Sequence, residues 1–454
     1  MPRYNLVSKL KTQMKYAPLL MWYLLLFPGR LGFDGSELIS LIQENRSTDW
    51  WSANYYWLIR ILTLDGKSIF LASLFGLTIL FFSISLFVES LPIKNDKDRN
   101  RILKIILYSP FYGYIGATVS HDVTLIASIL MLSAFEFNKL KNASYKYSAY
   151  INAILIYLLL TNSLGIPLLL CYLFRARHTL NFKQYSAIIM AGAVSLTCWN
   201  FTNHESNIQK YMPFLVDLKC VVQLNDVQLS DASVEFISKI SPIQDWKSNA
   251  TCGSAQYSLF GLKGLEKNED INMKKFLRTY FEVFYKYPYV VLAAHIQRSA
   301  VSLPPPFFSI GVENLVNYDN KNGLGIKSNK FLQDGAELFH PSIDEPSMKI
   351  ENRYLELLNG LAYLVGFGFN QNSSFWGWGG LWIWPILINS YCLFKYSLRD
   401  ITRVYYPLIV LHISLFVFSP ESLPRYVFST IIIGIISLLS LGSKIFTRGV
   451  SNDA

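Results

Sequence analysis

Long apolar runs separated by short charged loops make up the chain before residue 202 and after residue 377. An α-helix needs roughly 20 apolar residues to cross a bilayer, so this pattern predicts an all-α polytopic membrane protein with about 10 spans. The predicted spans are Tyr16–Pro28, Ser68–Val88, Ile102–Val119, Val123–Phe137, two halves of Ser148–Phe174, Tyr185–Phe201, Leu381–Phe394, Thr402–Phe418 and Val427–Leu441.

The stretch Ser148–Phe174 fits either one long helix or two short helices separated at TNSLGIP. One helix would put Arg175 and Arg177 outside the cell, whereas two helices would keep them in the cytoplasm. Cytoplasmic loops carry an excess of Lys and Arg, and Asn, Gly and Pro are residues that interrupt helices. Both considerations predict two helices.

Between residues 202 and 377 the chain is polar and rich in turn residues, which predicts an extracytoplasmic segment. Three regions follow: 1–201, with a first outside loop at 29–66; 202–377; and 378–454. We expect Phe276–Leu303 to form an amphipathic interfacial or re-entrant helix, because His295 and Arg298 make a lipid-facing crossing costly. Ile350–Phe367 is a second helix of that kind, and the span count becomes about 12 if both cross.

Composition and charge agree with a membrane protein. The chain is 52% hydrophobic and 16% charged, whereas soluble domains carry about 25% charged residues. Its net charge of +10 comes from short loops, so it indicates positive-inside topology with both termini cytoplasmic. No long basic face is present, which argues against a nucleic-acid partner; the expected surroundings are membrane lipid.

Five cysteines are present, of which only Cys220 and Cys252 fall in the predicted outside segment. An oxidising compartment would allow these two to form a disulfide. Two cysteines in one region also occur by chance, so the pairing is left open.

The first outside loop contains an acidic residue followed by a cluster of aromatic residues. Asp34 follows the first span closely, and Trp50, Trp51 and Tyr55 come later in the same loop. Taken singly, Asp34 suits a helix cap and the aromatic residues suit an interfacial belt. Together, a carboxylate at the membrane surface and aromatic faces suit binding and deprotonation of a sugar or another polyol.

Three other polar groups are predicted near the outer membrane surface. His121 and Asp122 open the fourth span, where they are either helix-capping residues or a site for a metal, a phosphate or an acceptor hydroxyl. Arg425 lies in a short turn between the last two spans, where its planar guanidinium suits a phosphate or simply reaches the interface. Arg298 lies on the predicted interfacial helix.

The order of these features resembles the GT-C superfamily of integral membrane glycosyltransferases. The resemblance rests on PGRLGFDG after the first span, DWW before the second, His121-Asp122 opening the fourth, and the YKYPYVV helix. Bacterial protein-mannosyltransferase-like and lipopolysaccharide-modifying members are the most similar. The resemblance covers residues 1 to about 140 in motif, and the rest in layout.

The resemblance implies an enzyme of the cell inner membrane that moves a sugar from a polyprenyl-phosphate donor to an extracytoplasmic glycan, lipid or protein. It implies Asp34 as general base, His121 and Asp122 as acceptor or cation ligands, and Arg425 and Arg298 as donor-phosphate ligands. The aromatic cluster of the first loop itself predicts Trp50, Trp51 and Tyr55 as the residues that bind the acceptor or the sugar. Many relatives have two adjacent acids in the first loop, but Asp34 is followed by Gly35 and Ser36. A divalent cation, Mg²⁺ or Mn²⁺, is therefore left open.

Two other functions fit the layout. A polysaccharide polymerase or ligase would rely on Arg298 and His295 in the large outside segment. A lipid-linked sugar flippase or transporter would need charges near mid-membrane or an internal repeat. The sequence contains few intramembrane charges and no evident repeat.

Overall fold

The computed structural model describes residues 16–31, 33–48, 51–142, 145, 147–177, 182–201, 204–205, 211–224, 227–247, 272–299, 379–394, 398–418 and 427–441. This part of the chain is mostly helical, as the apolar runs predict, with eighteen helices and four strands of two residues each. Trp50, Cys252, Arg425 and the predicted helix Ile350–Phe367 lie outside it.

The helices before the polar segment are α1 (Ala17–Leu25), α2 (Phe33–Gln43), α3 (Ala53–Leu62), α4 (Phe70–Ser90), α5 (Asp96–Leu107), α6 (Pro110–Ala117), α7 (His121–Lys141), α8 (Ala149–Leu160), α9 (Gly165–Ala176) and α10 (Phe182–Asn200). The later helices are α11 (Met212–Val222), α12 (Asp231–Ile240), α13 (Ile243–Lys247), α14 (Met273–Lys286), α15 (Pro288–Ser299), α16 (Gly379–Phe394), α17 (Leu398–Phe418) and α18 (Phe428–Ser440).

Three helices in the described part are long and apolar enough to cross a membrane: Phe70–Ser90, His121–Lys141 and Asp400–Phe418. Helices α8, α9 and α18 are apolar but shorter. The main core lies between these helices, with α4 packed along α7 and α17 and α18 also contacting α7. Helix α7 is the central element, since nearly all of its side chains are buried.

The predicted interruption at TNSLGIP is present between α8 and α9. The Thr161 hydroxyl donates to Thr124 Oγ1 near the start of α7 at 2.6 Å, and the Arg175 guanidinium pairs with Glu136 near its end. Therefore α8 runs towards the start of α7 and α9 runs back. Gly165 permits the reversal, because a Cβ atom there would lie 1.9 Å from the Leu159 carbonyl oxygen.

Two stretches predicted as single helices are each two helices. The third predicted span, Ile102–Val119, is divided at Pro110, whose ring cannot continue the preceding helix; Ser109 ends α5 by donating to Ile106 O at 2.6 Å and caps α6. The predicted helix Phe276–Leu303 is divided in the same way before Pro288, so α14 ends at Lys286 and α15 begins at Pro288.

A second core forms within the polar segment, where α11, α12, α14 and α15 pack together around Leu215, Ile237 and Val283. Cys220 in α11 is disulfide-bonded, while Cys171, Cys198 and Cys392 are not in disulfide bonds. Cys252, whose pairing with Cys220 the sequence leaves open, lies outside the described residues.

Candidate active site

A short parallel strand pair brings the first loop to the start of α7. Strand β1 (Arg30–Leu31) pairs with β2 (Thr118–Val119), with Arg30 opposite Thr118 and Leu31 opposite Val119. The guanidinium of Arg30 stacks 3.5 Å above the Tyr114 ring, which is a favourable cation–π contact. Both strands lead directly into a helix, so the first turns of α2 and α7 lie side by side.

Gly35 makes this approach close. A Cβ atom built at position 35 would lie 2.6 Å from the Val119 carbonyl oxygen, so only glycine fits without a backbone shift. Asp34, one residue earlier, lies in the first turn of α2 and is 9% exposed. A helix N-terminus favours a carboxylate in its first turn.

Ser120, His121 and Asp122 form the corresponding start of α7. Ser120 Oγ accepts the Asp122 N–H at 3.2 Å and donates to Asp122 Oδ2 at 3.1 Å, which fixes the carboxylate. The imidazole Nε2 of His121 lies 3.5 Å from Asp122 Oδ1. Its Nδ1 is buried without a hydrogen-bond partner among the described residues, so His121 keeps one nitrogen for a further group.

Tyr55 joins the two helix starts. Its ring contacts the His121 ring edge to face, with centroids 5.8 Å apart. Burial raises the pKa of the Tyr55 hydroxyl well above its usual value, and the charges of Asp122 and Asp34 raise it further. The hydroxyl has no hydrogen-bond partner within the part of the chain described. It is therefore a neutral O–H group near both carboxylates.

Glu37 is an acidic neighbour of Asp34 that the sequence analysis missed. Burial and then the charge of Asp34 raise the pKa of Glu37 to about 7. The signal was available, because residues three apart on a helix are neighbours. Gly35 and Ser36 do follow Asp34 in sequence, but the helix brings the Glu37 carboxylate close enough to feel the charge of Asp34.

The aromatic residues of the loop are more buried than an open sugar platform requires. Trp51 is 4% exposed and packs with Leu38, Ile39 and Ile42, which share one face of α2. Trp57 is half-buried and donates through Nε1 to Cys198 O at 3.2 Å. The sugar-binding roles of Trp51 and Tyr55 stay predictions. A sugar could stack on Trp51 only if the side chains that cover its ring moved aside.

Arg298 lies in a different cluster and is fully buried. Its Nε and Nη2 donate to the Asp217 carboxylate at 2.9 and 3.2 Å, and both Nη atoms approach Val417 O. Nη2 also lies 2.7 Å from His295 Nδ1, which must accept because arginine only donates. Tyr280 donates to Asp217 Oδ2 at 3.1 Å.

This cluster lies towards the same end of the bundle as Asp34. Arg403, near the start of α17, pairs with Glu136, near the end of α7. Val417 is one residue from the other end of α17, about 21 Å further along at 1.5 Å per residue, and so lies towards the Asp122 end. A phosphate would have to displace Asp217 to reach Arg298, and the donor-phosphate roles of Arg298 and Arg425 stay predictions.

A divalent cation fits the described side chains poorly. No group of three or more His, Cys, Asp or Glu side chains placed to hold a metal occurs within the described ranges.

No family model, curated protein or solved structure matches this chain. Function is therefore inferred from the chemistry of the residues themselves. That chemistry is a buried carboxylate at a helix start, with an imidazole, a second carboxylate and a phenol hydroxyl nearby.

Proposed function

We propose that this protein is a multi-pass glycosyltransferase of the cell inner membrane. It transfers a sugar from a polyprenyl-phosphate donor to an extracytoplasmic glycan, lipid or protein. The observation that carries the proposal is that Asp34, His121, Asp122 and Tyr55 lie near one another. Asp34 and Tyr55 are far from His121 and Asp122 in sequence, and all four have predicted roles in the same reaction. Helical architecture with apolar spans also supports a site at a membrane surface.

In the proposed reaction Asp34 takes the proton of the acceptor hydroxyl. The acceptor oxygen forms a bond to the anomeric carbon of the sugar, while the bond from that carbon to the phosphate oxygen breaks. The electron pair leaves with polyprenyl phosphate. His121 and the Tyr55 hydroxyl are positioned to orient the acceptor, and Arg425 is the proposed donor-phosphate ligand.

Two observations support an extracytoplasmic site. The disulfide at Cys220 suits an oxidising compartment, and its helix packs with α15, which contacts the Val417 end of α17. The opposite end of the bundle holds Lys139, Lys141, Arg175 and Arg403, as expected for a cytoplasmic face.

The test is complementation of a strain that lacks the protein, with mass spectrometry of envelope glycans and lipid-linked sugars. We expect Asp34→Asn to abolish the glycan modification and to let the lipid-linked sugar accumulate, since a general base contributes about 10²–10⁴-fold. The matched control is Asp65→Asn in the same loop. Asp65 is exposed and has φ of 59°, which Asn tolerates.

Full modification by Asp34→Asn, at normal membrane levels of the protein, would remove Asp34 from the base role. A polymerase or ligase is the second candidate, favoured by the buried Arg298–His295–Asp217 network. This function predicts altered polysaccharide chain length rather than loss of one sugar. It also predicts that substitution of His295 lowers the activity, whereas Asp34→Asn leaves it unchanged.

A further inference from the structure

A second charged cluster lies at the end of the bundle opposite Asp34. Glu136 on α7 is 1% exposed, and Arg175 from α9 grips both of its oxygens at 3.1 Å. Arg403 from α17 donates through Nε to the same carboxylate at 3.3 Å. Glu136 lies about 21 Å from Asp122 along α7 at 1.5 Å per residue, so the cluster is separate from the candidate active site.

Glu136 binds only some of the N–H groups of the two arginines. Their side chains are 33% and 36% exposed. Within the described residues, neither Nη atom of Arg403 makes a hydrogen bond, and neither does Nη1 of Arg175. Two cations against one carboxylate leave one positive charge uncompensated. If the two arginines only joined α7, α9 and α17, the buried Glu136 carboxylate would be explained. The partly exposed N–H groups that Glu136 does not bind would not be.

The surface of α9 beside the arginines is apolar and exposed. Ile166, Leu170 and Phe174 recur every fourth residue and are 51%, 63% and 66% exposed, so they form one stripe along the helix. The stripe ends at the charged cluster, where the guanidinium of Arg177 lies 4.4 Å above the Phe174 ring. A ligand that fits both parts has an anionic head and an apolar chain.

We propose that Arg175 and Arg403 bind the phosphate of an anionic phospholipid whose acyl chain lies along the Ile166–Leu170–Phe174 stripe. Arg403 offers its planar Nη1–Nη2 pair, which matches phosphate oxygens, and Arg175 adds Nη1. Such charge-assisted hydrogen bonds are the strong class. The Tyr406 ring, 4.7 Å from the Arg175 guanidinium, helps to hold that side chain in place. This site is independent of the proposed transferase activity.

The test measures thermal unfolding of the purified full-length protein in a neutral detergent, with added phosphatidylglycerol or phosphatidylcholine. We expect phosphatidylglycerol alone to raise the Tm, and Arg403→Gln to weaken its binding about tenfold, equivalent to 1.4 kcal/mol. Arg101→Gln, at an exposed position on α5, is the matched control and should respond as the unchanged protein does.

A third variant keeps the test decisive if Arg403→Gln does not fold. Leu170→Ser changes the exposed stripe without touching the ion pairs and should also weaken the response to phosphatidylglycerol. Equal stabilisation by both lipids, or equal loss with Arg101→Gln, would overturn the proposal. If inorganic phosphate without lipid raised the Tm as much as phosphatidylglycerol does, the site would bind anions and not a lipid, and the proposal would be wrong.

Discussion

Gly35 lies so close to Val119 that a Cβ atom at position 35 would come within 2.6 Å of the Val119 carbonyl oxygen. This contact joins the first turn of α2 to the strand that leads into α7. It therefore fixes how far Asp34 lies from Ser120, His121 and Asp122. The relationship can be tested without altering any polar side chain.

We expect Gly35→Ala to reduce sugar transfer by about a hundredfold, because a displacement of about 1 Å can cost that much. The measurement is the amount of modified glycan in the complemented strain, normalised to the amount of protein in the membrane. Gly192→Ala is the control, since a Cβ atom there meets nothing within 4 Å. Unchanged transfer by Gly35→Ala would mean that the spacing is not critical.

Glu37 predicts a pH dependence of stability. Its pKa rises from 4.5 to about 7 on folding, so the native protein binds more protons than the unfolded chain between these values. The free energy of unfolding should therefore fall as pH rises from about 4.5 to about 7, by at most about 3 kcal/mol from this group.

Glu37→Gln should flatten that dependence, because the amide mimics the protonated acid and does not titrate. Thermal unfolding of the purified protein across this pH range is the measurement. Glu44→Gln, at an exposed acid just after the same helix, should leave the slope unchanged. An identical slope in the unchanged protein and Glu37→Gln would rule out this group as the cause.

The Asp217–Arg298 pair predicts a distinctive double-variant result. Arg298→Met leaves the Asp217 carboxylate buried without its cation, which costs about 3–5 kcal/mol. The double variant Asp217→Leu with Arg298→Met should recover most of that stability, because apolar residues of similar volume often replace a buried ion pair at little cost. Thermal unfolding of the three proteins gives these values.

Transfer activity of the double variant then separates two roles of Arg298. We expect activity to be retained, since every guanidinium nitrogen is engaged within the protein. A stable but inactive double variant would instead indicate that Arg298 reaches the donor phosphate.

Local signals predicted much of the helical layout. The interruption between α8 and α9 followed from the Asn, Gly and Pro of TNSLGIP and from the position of Arg175, and the structure has it. Leu38, Ile39 and Ile42 have the spacing of one helical face, and the structure buries all three. The interruptions before Pro110 and Pro288 were not predicted, because apolar or amphipathic character runs on without a break across both prolines.

Contacts between distant residues could not be predicted from the chain alone. Asp217 and Arg298 are 81 positions apart, and Glu136 and Arg403 are 267 positions apart. The pairing depends on how the helices pack, which no local pattern encodes. Asp34, His121 and Asp122 were predicted at one membrane surface, but the strand pair that joins them and the part played by Tyr55 required the structure.

The strand pairing between Arg30 and Thr118 also sets an order of events during synthesis. Thr118 follows Arg30 by 88 positions, so Asp34 leaves the ribosome long before the strand that holds it beside Asp122 exists. Until α4, α5 and α6 have been made, the carboxylate has neither its partner strand nor the imidazole of His121. A nascent chain that stalls before this point therefore carries the Asp34 carboxylate without the partner strand and without the other side chains of the candidate site.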